Sequence, residues 1–169
     1  MGKMFLMCGL SGAGKTTFAK KFAEDNGYTY LGIDNTYKGL WASYDDPNDS
    51  FMVWIEFFKL IHGQEMAGHD VVIDTNAPTF VKRAQFIDWF PTFDEHNLIY
   101  IEADRDLRKR NNASRDRVVP DDEMERMEQE FESPVIYGDY SLFSNYERNW
   151  SSITVIKNID NHFHEIGII

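Results

Sequence analysis

The sequence predicts an α/β fold built on one five-stranded parallel sheet with helices on both faces, and three observations carry that expectation. Apolar runs of strand length alternate with segments of helical period, the pattern of repeated βαβ units. A glycine-rich turn ending in lysine and threonine joins the first run to the first helical segment. The 169 residues, 43% hydrophobic and 27% charged, suit one domain around one core, and a single domain over 1–169 is expected.

In chain order, the first strand is expected at 4–8, where Met4 to Cys8 are uninterruptedly apolar. A helix follows at about 15–26, and a second strand at 28–33 ends in Gly32-Ile33. Asp45 to Ser50 reads as a loop that ends in a helix cap. The next helix, 51–67, places Phe51, Trp54, Ile55, Phe58 and Ile61 at i, i+3, i+4 spacing, which assigns them to the core. Strands at 70–73 and 98–101 flank a helix at 79–90, and helices at 104–112 and 121–131 precede the fifth strand, 153–156. Between those two helices, residues 111–120 are polar, arginine-rich and aperiodic, which suits a mobile lid. There is no internal repeat and no low-complexity linker.

A formal net charge of −11 argues against a broad basic surface for duplex nucleic acid, where affinity comes from lysines and arginines neutralising phosphates. No apolar run approaches the roughly 20 residues of a membrane span, and no signal-peptide pattern follows Met1, so a cytoplasmic protein is expected. The lone Cys8 lies inside an apolar strand, so a buried, unreactive thiol is expected. Basic residues concentrate locally: Arg105, Arg108, Lys109, Arg110, Arg115 and Arg117 fall in one short run. That clustering suits a face that handles phosphate.

The most specific motif is Gly9-Leu10-Ser11-Gly12-Ala13-Gly14-Lys15-Thr16, a complete GxxxxGK[ST] between a strand and a helix. Its glycines let successive N–H groups face a phosphate chain, and the helix N-terminus adds partial positive charge. Lys15 is expected to reach the β- and γ-phosphates of ATP, and the Thr16 hydroxyl to coordinate Mg²⁺; Thr17 completes the nucleotide-binding set. Asp74 ends an apolar strand, the position of an aspartate that organises Mg²⁺ and its waters, with a turn cap as the alternative.

In a doubly wound sheet, ligands sit beyond the carboxyl ends of the strands, so Asp34, following the second strand, shares an edge with the loop and Asp74. A carboxylate there can orient an acceptor hydroxyl and take its proton; a cap for the segment beginning at Asn35 is the other reading. Arg110, Arg115 and Arg117 enter the aperiodic stretch, where guanidinium groups can cover the transferring phosphoryl group. Arg110 is expected to bind the nucleotide and Arg115 to act in catalysis. Arg105 and Arg108 suit ion pairs with nearby acids.

These blocks, in order, resemble the kinase domain of phage polynucleotide 5′-hydroxyl kinase and its P-loop kinase relatives. The likeness rests on the P-loop, Asp34 with Tyr37-Lys38, Asp74-Thr75-Asn76 with Lys82-Arg83, and Lys109-Arg110-Asn111 with Val118-Val119-Pro120. It spans roughly the first 140 residues. The resemblance implies a three-layer P-loop kinase fold with an arginine-rich lid at about 111–120. It implies that Lys15 and Thr16 hold phosphates and metal, that Asp34 is the general base, and that arginines of the later block contact the phosphates; Asp34, Lys38, Asp74 and Asn76 are expected to meet the acceptor. Here Lys38 stands where the family pattern has an arginine, and as a point charge it can bind a substrate phosphate.

The expected activity is therefore transfer of the γ-phosphate of ATP to a hydroxyl, foremost the 5′-hydroxyl of a nucleic acid or nucleotide end. A nucleoside, nucleotide-sugar or other metabolite kinase is the rival expectation, and an ATPase switch a third. The partners expected are ATP, Mg²⁺ and the acceptor, with no membrane. Trp41 and Tyr44 can stack a base or simply pack. His162 and His164 lack a third ligand at metal spacing and are read as surface residues.

Overall fold

The computed structural model describes residues 2–136, 139–143, 147 and 149–168. Among these described residues, eight strands and six helices follow in the order β1 (Lys3–Cys8), α1 (Lys15–Asn26), β2 (Thr29–Gly32), α2 (Ile33–Gly39), α3 (Pro47–Ala67), β3 (Val71–Asp74), α4 (Phe80–Trp89), β4 (Glu95–Ala103), α5 (Arg105–Ala113), α6 (Asp121–Glu130), β5 (Val135–Ile136), β6 (Asp139–Phe143), β7 (Ser152–Ile159) and β8 (His162–Ile168). The main sheet has six strands in the order β2-β3-β1-β4-β7-β8. The first five are parallel and correspond to the five expected from the sequence. The sixth, β8, runs antiparallel to β7, so the sheet is mixed rather than purely parallel.

Side-chain alternation along β1 and β4 divides the core between the two faces of this sheet. Met4, Leu6, Cys8, Leu98 and Tyr100 pack with Phe57 and Ile61 of α3 and Phe86 of α4. Met7, Ile99 and Ile101 point the other way, onto Ala19 and Ala23 of α1. Helices thus cover both faces. No helix among the described residues is long and apolar enough to cross a membrane.

α3 meets the core on a broader stripe than expected. Val53, Phe57 and Ile61 are fully buried and Trp54 and Phe58 pack against the cluster of Phe57 and Ile61, whereas Phe51 is 65% exposed. The helix also starts earlier than Phe51: the Asp46 carboxylate accepts from Asn48 N–H at 2.8 Å and Pro47 occupies the first turn. Ile33, expected to close the second strand, instead begins the short α2, so Asp34 lies inside its first turn rather than capping a segment from Asn35.

Cys8 is buried, and burial pushes its thiol up to about 11, which keeps it protonated and unreactive at neutral pH. Beside it, 3.6 Å from the sulfur, lies the fully buried guanidinium of Arg83. Its partners are the Glu147 carboxylate at 2.6 Å and the carbonyls of Ala77, Pro78 and Glu132. Trp150 donates its indole N–H to the other oxygen of Glu147 at 2.7 Å. Arg83 therefore ties α4 to the segment after β3 and to Glu147, rather than to a substrate. Removing one partner strands a buried charge, so Arg83→Ala is expected to destabilise the protein by about 3–5 kcal/mol, read from urea denaturation midpoints. A loss under about 1 kcal/mol contradicts that role.

Candidate active site

The order β2-β3-β1 sets the carboxyl ends of three strands side by side, and each ends in a chemically distinct group. β1 runs into the glycine loop, β3 ends on Asp74, and β2 leads into α2, whose first turn carries Asp34. The loop needs glycine at two positions in particular. Gly12, at φ 79°, lies so close to α5 that an added Cβ would stand 2.3 Å from the Arg108 carbonyl oxygen. Gly14, at φ 97°, precedes α1 and faces the Asn158 amide and the Phe163 ring.

Lys15 opens α1 and folds back over the loop, donating from Nζ to the carbonyls of Gly9 at 2.8 Å and Leu10 at 3.0 Å. Desolvation lowers its ammonium below the usual lysine range, while the Asp74 carboxylate pulls the other way. Thr16 donates its hydroxyl to Asp74 Oδ2 at 2.6 Å, and Tyr30 donates to the same oxygen at 2.9 Å. Burial first, and Asp74 next, raise the Tyr30 phenol and keep it a donor. Thr16 and Asp74 offer a hydroxyl and one carboxylate, hard oxygen donors suited to an ion such as Mg²⁺ that keeps several waters and binds phosphates. Among the described residues there is no group of three or more His, Cys, Asp or Glu side chains that could hold a metal by itself.

Across the opening from Asp74, the Asp34 carboxylate is half exposed and accepts a hydrogen bond from the Tyr44 hydroxyl at 3.0 Å on Oδ1. Its side chain does not cap α2, which begins at Ile33 with Gly32 at the cap position and no side-chain cap. Arg115 bridges the two halves: one terminal nitrogen donates to Ser11 Oγ at 3.3 Å, and the other lies 4.0 Å from Asp34 Oδ2. The segment carrying Arg115 and Arg117 is held at its base by Asn112, which donates to Val119 O at 2.7 Å and accepts from Val119 N–H at 3.0 Å. Helices α5 and α6 frame it through the ion pairs Arg105–Glu125, Arg108–Glu128 and Lys109–Asp121. Much of the basic run is thereby neutralised.

A cavity of about 470 Å³ joins these groups. Its walls include Ser11, Gly12, Gly14, Lys15, Thr16, Thr17, Asp34, Asp74, Asn76, Arg115 and Arg117. Two expected contributors lie elsewhere. Lys38 is exposed on α2 and is not part of the wall, and Arg110 is drawn off to the Asp160 carboxylate at 2.8 Å. Gly9, Leu10 and Ala13 shape the loop from behind. Tyr44 has no face left for a base: its ring stacks on Tyr37 at 3.9 Å, and the Arg117 guanidinium sits over it at 3.9 Å, which requires the opposite face. Trp41, expected either to stack a base or to pack, is 95% exposed. His162 and His164 are exposed on β8.

The turn between β7 and β8 supplies a wall not anticipated from the sequence. Asp160 and Asn161 adopt φ of 49° and 65°, a two-residue hairpin turn, and Asn161 lines the cavity. Asn111 and Asn161 exchange amide hydrogen bonds at 3.0 and 3.1 Å, and Asn111 also donates to Gly12 O at 2.9 Å. Asn158 on β7 donates to Ala13 O at 2.9 Å. The Asp-Asn pair between Ile159 and His162 is a turn signal that, with Phe163 and Ile166 beyond it, marks the hairpin.

A family model described as AAA domain matches residues 4–134. The fold is similar to that of a sugar kinase from Janibacter sp. HTCC2649, with a TM-score of 0.61 at 15% identity over 93% of this chain and 86% of that one. A gluconokinase from Sinorhizobium meliloti 1021 gives a TM-score of 0.58 at 14% identity over 92% and 82%. A chain of the Pnkp1/Rnl/Hen1 RNA repair complex gives 0.69 at 14% identity, over 76% of this chain and 43% of that one. At these identities the likeness is one of fold: a kinase-type α/β P-loop fold. No curated protein matches the sequence.

Proposed function

Because the chain belongs to the AAA domain family and has a kinase-type P-loop fold, we propose that it is an ATP-dependent kinase transferring the γ-phosphate to a hydroxyl, foremost a nucleic acid or nucleotide 5′-hydroxyl. The observation that carries the proposal is Arg115 spanning from Ser11 of the phosphate loop to Asp34 across one cavity. A carboxylate so placed can take the proton of an acceptor hydroxyl as phosphate is transferred to it.

In this reading the loop amides and Lys15 hold the phosphate chain, and Thr16 and Asp74 would hold Mg²⁺, which would supply positive charge to the bound phosphates. The acceptor oxygen attacks the γ-phosphorus, the bond from that phosphorus to the β-bridging oxygen breaks, ADP leaves, and the hydroxyl proton passes to Asp34. Arg115 covers the charge that spreads over the equatorial oxygens. Asn76, exposed at the mouth of the cavity, is assigned to the acceptor.

Arg115→Ala is accordingly expected to lower kcat by roughly a hundredfold with little change in the KM for ATP, the mark of a contact made chiefly in the transition state. Arg110→Ala is expected to change neither constant, since Arg110 is engaged by Asp160 outside the cavity. Equal steady-state kinetics for Arg115→Ala and wild type contradict the first assignment.

The polynucleotide reading draws on the ordered sequence blocks and on the likeness to the RNA repair chain. Its rival, a small-metabolite kinase, draws on the net charge of −11 and on the sugar kinase and gluconokinase, which match nearly the whole chain. The test incubates the protein with γ-labelled ATP and Mg²⁺, alone, with a 5′-hydroxyl oligonucleotide, and with a panel of sugars and nucleosides. Label on the oligonucleotide, with binding weakened by salt, is the expected result. Label only on a metabolite moves the assignment to the rival, and label released as phosphate in every arm defeats both.

A further inference from the structure

We propose that Tyr44 is a positioning residue for the Asp34 carboxylate, and that Arg117, stacked on Tyr44, makes this positioning depend on the arginine-bearing segment between α5 and α6. The proposal rests on the reading of Asp34 as the base, and it assigns roles to two residues outside the phosphate and metal machinery.

Asp34 sits in the first turn of α2 with its carboxylate half exposed. A side chain so placed can rotate freely unless something holds it, and a base that rotates spends little time aligned with its acceptor. The Tyr44 hydroxyl, at 3.0 Å from Oδ1, fixes one oxygen and leaves Oδ2 directed toward Arg115. The phenol is pushed up to about 12, by burial first and by Asp34 next, so at neutral pH it is the donor in this bond. The other charged and titratable groups that act on or feel Asp34 are Arg115 and, farther away, Lys15 and Tyr30.

Tyr44 is itself held on both faces. Tyr37 lies under it at 3.9 Å, is buried, and donates its own hydroxyl to Ser50 of α3 at 2.8 Å. That face is anchored in the body of the fold. The opposite face is closed by Arg117, at 3.9 Å, and Arg117 belongs to the segment that also carries Arg115. Cation–π stacking of this kind is worth roughly 0.5–2 kcal/mol, enough to bias a side chain without locking it. One segment therefore presents Arg115 to the phosphate side and, through Arg117 and Tyr44, steadies the base on the acceptor side. The two arms of phosphoryl transfer are set together.

Tyr44→Phe removes the hydroxyl while keeping the ring and both stacking partners. Two measurements are made on wild type, Tyr44→Phe, Arg117→Ala and the double variant: the χ1 rotamer populations of Asp34 from three-bond NMR couplings in the unliganded protein, and single-turnover transfer to a 5′-hydroxyl oligonucleotide. In Tyr44→Phe the Asp34 couplings are expected to move from those of one dominant rotamer toward averaged values, because the donor that fixes Oδ1 is lost. The transfer rate is expected to fall roughly tenfold to a hundredfold, with ATP affinity unchanged. Arg117→Ala slows transfer in the wild-type background and by less than about twofold when added to Tyr44→Phe. Unmoved Asp34 couplings in Tyr44→Phe overturn the proposal whatever the kinetics, as does an Arg117→Ala effect of equal size in both backgrounds. Averaged couplings in a protein that transfers to no acceptor uphold the Tyr44–Asp34 contact and count against the kinase reading instead.

Discussion

Replacing Lys15 with alanine is expected to abolish phosphoryl transfer while leaving the fold in place. The ammonium group is poised on the Gly9 and Leu10 carbonyls at the mouth of the loop, in a partly desolvated position where a fixed charge acts strongly on a phosphate. Its loss removes a preorganised cation from oxygens that gain charge during transfer. Losing even one such donor costs on the order of 3–4 kcal/mol, or 10²–10³ in rate. The loop itself keeps its backbone course, because Gly12 is wedged against α5 and Asn158 holds Ala13. Single-turnover transfer and a thermal melt on the same preparation check both halves. Retained turnover contradicts the role of Lys15, and a collapsed melt contradicts the claim that the side chain serves the ligand alone.

Asp34→Asn should collapse transfer by roughly 10²–10⁴ and leave ATP affinity nearly unchanged. The substitution is close to isosteric, and its carbonyl oxygen can still accept from the Tyr44 hydroxyl, so the side chain stays where Asp34 was. What disappears is the oxygen able to take a proton. ATP binding survives in this account because Lys15, Thr16 and the loop amides lie on the other side of Arg115. Calorimetric ATP titration beside single-turnover transfer separates the two effects. Loss of both means a structural role for Asp34, and loss of neither removes it from the mechanism.

The elements that read clearly from sequence are those whose signal is local. β1, the loop and α1 are marked by an apolar run, fixed glycine offsets and a lysine-threonine pair, and Asp74 by its place at the end of an apolar strand. α3 was legible in existence and in most of its core face, Trp54, Phe58 and Ile61, while Phe51 obeys the same spacing and only packing shows it to be exposed. α2 was not legible: Asp34, Asn35, Thr36 and Gly39 are weak helix formers, and the segment forms where β2 delivers it against α3. Asp34 was placed near the phosphate loop because strand ends converge, a rule of topology, and Arg115 by composition, from its place in the aperiodic, arginine-rich stretch. Arg110 illustrates its limit, since whether an arginine faces phosphate or a neighbouring acid depends on Asp160, fifty positions away. Tyr44 illustrates it again: its aromatic character was visible, but the two faces that Tyr37 and Arg117 occupy were not.

The hairpin of β7 and β8 ties the glycine loop to strands far along the chain. The Asn158 bond to Ala13 spans 145 positions, and Asn161 closes part of the cavity from later still. Contacts of such separation form only once the intervening chain has been ordered. The glycine loop, though local in sequence, therefore gains this part of its support late in folding, after β7 has joined the sheet.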